Sequence, residues 1–141
     1  MNEPLTEELL DELLESPSAS AFVDERRREL DSPTLSSYLS QLLEEKGLKR
    51  ASVIRAAGLN ETFGYQIFTG QRNPSRNKVL QIAFAMSLTL KETSRLLQAA
   101  GTNDLYCKRR RDAIITFCLD KNHTLYEANE ELYRLGEETI C

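Results

Sequence analysis

Lys49-Arg50-Ala51-Ser52-Val53-Ile54-Arg55-Ala56-Ala57-Gly58-Leu59-Asn60-Glu61-Thr62-Phe63-Gly64-Tyr65-Gln66-Ile67-Phe68 contains two short helical segments that meet at one glycine. The first is expected over about residues 50–57 and stops at Gly58, whose missing Cβ permits a left-handed turn residue. Leu59 then buries itself and Asn60 caps a second helix over about 60–68, its side-chain oxygen meeting an orphan N–H of the first turn. The second helix leaves the corner at a steep angle. This is a helix-turn-helix arrangement, in which the second helix can lie in a DNA major groove.

Outward from this corner, everything readable is helical. Ser32-Pro33 predicts a helix start, Ser as N-cap and Pro at the first helical position. That helix runs to about Lys46, burying Leu35, Leu39, Leu42 and Leu43, and Gly47 supplies a left-handed C-cap. Pro74-Ser75 opens a fourth helix with the apolar stripe Val79, Leu80, Ile82, Ala83 and Met86. Thr89 caps a fifth, carrying Leu90, Leu96, Leu97 and Ala100 and ending at Gly101. Two more helices are expected over about 104–121 and 125–135. They echo the fourth and fifth at an offset of 35: Thr89, Leu90, Glu92, Leu97 and Gly101 match Thr124, Leu125, Glu127, Leu132 and Gly136. At the other end, Leu5, Leu9, Leu10, Leu13 and Leu14 predict a short acidic amphipathic helix, followed by a linker at 16–20 and a weakly helical stretch at 21–31. The expected fold is all-α. A partly disordered acidic segment (1–31) precedes a five-helix domain (32–101), on which a C-terminal helical hairpin (102–141) packs as an extension of the core.

Composition narrows the function. The chain has 141 residues, 40% apolar and 28% charged, enough for one sizeable core. Six glycines and four prolines are too few for a turn-dense β architecture. No apolar run approaches the roughly 20 residues of a membrane span. The acidic start at Met1-Asn2-Glu3-Pro4-Leu5 lacks the positive region of a signal peptide. Cys107, Cys118 and Cys141 lack metal-ligand spacing, which fits free thiols in a reducing cytoplasm. With one histidine, His123, a His-centred triad or His-rich metal site is not expected, and no cofactor is called for. The net charge of −4 is segregated: residues 1–33 carry −7, residues 34–101 carry +5 and residues 102–141 carry −2. Phosphate attraction acts over about a Debye length, so the middle third can attract a polyanion although the whole chain is acidic.

Immediately after the corner, Thr69-Gly70-Gln71-Arg72-Asn73-Pro74-Ser75 closely resembles the loop that links the recognition helix to the next helix in the phage-repressor/Cro-type (XRE-like) helix-turn-helix family. The resemblance covers about residues 35–90. It implies a non-enzymatic, sequence-specific transcriptional regulator that inserts the helix at 60–68 into the major groove of double-stranded DNA. Such a regulator would act as a homodimer on half-sites about one helical turn apart. Two residues depart from the family pattern. A small residue is usual where Ile54 stands, and a β-branched core residue where Gly64 stands. The departures are complementary, so Ile54 is expected to pack over Gly64 with little change in total volume.

The second helix of the corner must bury Leu59, Gly64 and Ile67, which leaves Glu61, Thr62, Tyr65 and Gln66 outside; by the resemblance these are the base-reading positions. Gln66 could pair with adenine through its amide, Thr62 could meet a thymine methyl or a phosphate, and Tyr65 could donate to a phosphate. Glu61 fits either a cytosine amine or a favourable place at a helix N-terminus. Phosphate contacts are expected from Lys49 and Arg50, where the family grips the backbone, and from Arg72, Asn73, Arg76 and Lys78 in the loop and the next first turn. Cations at a helix N-terminus oppose its dipole, so Arg76 and Lys78 suggest an anion there. Lys108-Arg109-Arg110-Arg111 reads as a solvated face, a second phosphate contact or a dock for the acidic segment. The rival reading is a protein–protein interaction module in which the acidic segment 5–15 or the basic face meets a partner.

Overall fold

The computed structural model describes residues 34–141, in which seven α-helices and no strand occur. The acidic helix, linker and weak helix expected within 1–31 lie outside the described residues, as do Ser32 and Pro33. The first helix, α1 (Leu35–Lys46), is capped by Thr34 and not by Ser32. Thr34 is extended and its hydroxyl accepts the Ser37 N–H at 3.2 Å, one residue ahead of the first buried leucine. Gly47, at φ 63°, closes the other end as expected. Then follow α2 (Arg50–Ala56), α3 (Glu61–Phe68), α4 (Arg76–Ala85) and α5 (Leu90–Ala99), within a residue or two of their predicted spans. Leu39, Leu42, Val53, Ile67, Val79, Leu80, Leu96 and Leu97 form their common core. Gln81, buried on α4, donates its amide to the Ala57 carbonyl at 2.8 Å and so ties the end of α2 to the core. Among the described residues no helix is long and apolar enough to cross a membrane.

The last two helices are α6 (Arg110–Asp120) and α7 (Leu125–Arg134). The helix expected from about 104 begins six residues later. Residues 103–109 are held open instead: Asp104 accepts the Leu105 N–H and the Ser94 hydroxyl, and the carbonyls of Asn103 and Asp104 accept from Arg76. Leu119, Cys118, Ile115, Ala128, Leu132 and Ile140 join the same hydrophobic cluster as the preceding helices, and residues 34–141 form one compact unit.

The offset of 35 holds in the coordinates well beyond the matched letters. Thr89 and Thr124 each build a complete capping box, with Glu92 and Glu127. Ser87 and Asn122, at φ 52° and 57°, take the same left-handed turn. Arg76 donates to the carbonyls of Asn103 and Asp104, and Arg111 to those of Glu138 and Thr139. Each of these arginines also crosses to the other hairpin, Arg76 to Asp112 on α6 and Arg111 to Asn77 on α4. The contacts between hairpins are reciprocal as well, α4 meeting α7 and α5 meeting α6. Two copies of one helical hairpin thus embrace about an approximate internal two-fold.

Candidate nucleic-acid interface

Two short helices reach the surface through the Gly58 corner. Gly58 has φ 71°; its N–H donates to the Arg55 carbonyl and the Leu59 N–H to that of Ile54, so the last carbonyls of α2 are satisfied by the turn itself. The Asn60 side chain then accepts the Phe63 N–H at 3.1 Å and starts α3. α3 packs against α2 and α1, burying Gly64, Ile67 and Phe68, with Phe63 partly covered. The expected contact between Ile54 and Gly64 is present: a Cβ on Gly64 would lie 2.6 Å from Ile54 Cγ2. The helices therefore touch where only a bare α-carbon fits.

The opposite side of α3 is open. Glu61, Thr62 and Tyr65 are exposed and Gln66 is half-buried. Two of the expected cations reach these side chains directly. The Arg50 guanidinium lies over the Tyr65 ring, 4.6 Å from its centroid, which joins the start of α2 to the middle of α3 by a cation–π contact. Arg72 Nε donates to Gln66 Oε1 at 3.1 Å. A cleft of 260 Å³ opens beside the first pair, lined by Arg50, Arg55, Glu61 and Tyr65 among others. Arg55 had not been expected at this site; its position in the last turn of α2, five residues beyond Arg50, was the available signal. Lys49 and Asn73 are exposed and Lys78 half-buried, and their side chains make no hydrogen bond among the described residues. Glu61 stands in the first turn of α3, where the helix dipole favours it.

Arg76 is corrected. It was expected to hold a phosphate, but its guanidinium is already spent within the protein. Nη1 and Nη2 fork onto the two oxygens of Asp112 at 3.1 and 2.9 Å, and Nε and Nη2 donate to the carbonyls of Asn103 and Asp104. Asp112 is 4% exposed. Burial would raise its pKa, but the Arg76 fork, the Tyr106 N–H and the charges of Arg76 and Arg109 hold it below the usual carboxylate range. The anion that a cation at this helix start seemed to call for is a carboxylate of the chain itself. The basic run 108–111 is likewise partly absorbed: Arg111 binds carbonyls and Asn77, and Arg110 lies 3.4 Å from Glu137.

No family model, curated protein or solved structure matches the chain.

Proposed function

We propose that α2, the Gly58 corner and α3 form a helix-turn-helix within a five-helix, phage-repressor-like domain. The chain then acts as a sequence-specific regulator that inserts α3 into the major groove of double-stranded DNA. One observation carries the reading. The exposed polar face of α3 is met by arginines from two other segments, Arg50 of α2 on Tyr65 and Arg72 of the following loop on Gln66. Arginines beside an outward-facing helix suit contacts to the phosphates that border a groove. Lys49, Arg50, Arg72, Asn73 and Lys78 supply the backbone contacts; Thr62, Tyr65 and Gln66 face the bases, and Glu61 stays at the helix start. The regulator works as a homodimer on paired half-sites.

The test is retention on random duplex at low salt followed by selection from randomised DNA. A regulator binds and yields a motif with two-fold character; a protein-interaction module does neither. The logarithm of affinity should fall steeply with the logarithm of salt concentration, and Arg72→Ala should lessen that slope by about one unit. An unchanged slope removes Arg72 from the phosphate contacts.

A further inference from the structure

Arg72 holds Gln66 at two points and its neighbour Gln71 at a third. Its Nε donates to the side-chain oxygen at 3.1 Å, its backbone N–H donates to the Gln66 carbonyl at 3.2 Å, and the neighbouring Gln71 N–H donates to that carbonyl at 2.8 Å. A guanidinium has donors only. Whatever else the amide does, its oxygen must face Arg72 and its NH2 group must face away. That NH2 group has no partner among the described residues. One of the two lone pairs on the Gln66 oxygen is thereby occupied, the amide is held in one orientation, and both N–H donors stay free.

We infer that Gln66 reads guanine, and that Arg72 is the positioning residue that determines this preference; the inference rests on the DNA-binding reading above. The chemistry of the groove edge decides between bases. Adenine presents N7 as acceptor beside its N6 amine as donor, and matching both needs the amide oxygen as well as its NH2 group. Guanine presents two adjacent acceptors, O6 and N7, which an NH2 group alone satisfies. Cytosine offers a donor at the corresponding edge and repels one, and thymine offers a single acceptor, O4, which meets only one of the two donors. With a guanidinium already donating to its oxygen and both N–H donors free, Gln66 meets the two acceptors of guanine better than the acceptor–donor pair of adenine. The adenine pairing expected from the residue type alone is the behaviour of a free glutamine. Releasing Arg72 should restore it.

The experiment is selection from randomised duplex by the full chain and by two variants, Arg72→Ala and Gln66→Met. Arg72 is exposed and Gln66 only half-buried, with no role in the core, so both variants should keep the fold. The native protein should enrich guanine at one position of each half-site. Arg72→Ala should lower the guanine-to-adenine ratio at that position about tenfold, within the range of a bidentate base contact, and leave other positions unchanged. Gln66→Met should abolish preference there alone. Uniform weakening by Arg72→Ala with the same base preferences overturns the inference, since a pure phosphate contact behaves so. Adenine at that position in the native motif overturns it too. Failure of all three proteins to retain any duplex at low salt is a different result: it overturns the DNA-binding reading itself.

Discussion

The contact between Ile54 and Gly64 sets how closely α2 and α3 approach, and it makes a sharp stability prediction. Alanine at a helix-interior glycine ordinarily gains about 1 kcal/mol of propensity. Here the added Cβ would stand 2.6 Å from Ile54 Cγ2 and 2.9 Å from Cγ1, and Ile54 is itself buried. Overpacking should win. Gly64→Ile should lower stability by about 1–3 kcal/mol, and adding Ile54→Ala should recover most of that loss. Urea unfolding of the four proteins checks this, and additive losses would show that the two side chains do not share one space. This pair was legible in the sequence because both members sit in one short motif and their volumes compensate. Arg76 was not. Its partner Asp112 lies 36 residues away, so the neighbouring sequence shows only an uncompensated cation. The correct clue was the repeat, which sets Arg76 opposite Arg111 in the second hairpin.

At the level of elements, the second hairpin repeats the first in backbone but not in outer surface. Buried Ile82, Met86, Leu88 and Leu96 correspond to Phe117, Lys121, His123 and Glu131, none of which is buried. The first hairpin has α1 and α2 to cover it, whereas among the described residues no further helix covers the second, and its outer positions are more polar. The capping boxes, and hence both hairpins, could be read from Thr89, Glu92, Thr124 and Glu127. The open loop before α6 could not, because its carbonyls are held by a distant guanidinium. The two reciprocal clasps differ in chemistry, which separates their expected costs. Asp112→Ala should destabilise by about 3–5 kcal/mol, since it leaves Arg76 part-buried without its counter-charge and the Tyr106 N–H without its acceptor. Asn77→Ala removes one neutral acceptor and should cost about 1 kcal/mol. The Asp112 clasp also carries a pH signature. Its folded carboxyl has a lowered pKa, so near pH 4 the unfolded chain binds the extra proton. The stabilisation is full above the ordinary carboxylate value and is lost as pH falls through the depressed folded one. Denaturation at pH 7 and pH 3 should therefore show the gap between the native protein and Asp112→Asn shrinking in acid. A constant gap would mean that the carboxylate charge does not contribute.

For the whole molecule the governing quantity is the separation of charge along the chain. The full sequence carries −4, but residues 1–31 hold ten acids and three bases, so the remaining 110 residues carry +3. A duplex approaching α3 therefore meets a cationic surface on a chain that is anionic overall. Which field dominates depends on the screening length, about 10 Å at 0.1 M salt and about 30 Å at 0.01 M. At low salt acidic residues within about 30 Å of the phosphates oppose binding; at high salt only charges next to the phosphates count. Deleting residues 1–31 should accordingly tighten binding to random duplex at 0.01 M salt and change it little at 0.3 M. The plot of log affinity against log salt should then be steeper for the truncated protein than for the full chain. Equal affinities at low salt would mean that the acidic residues exert no net repulsion at the interface. A gain that persists undiminished at high salt would instead require a short-range contact that screening does not reach.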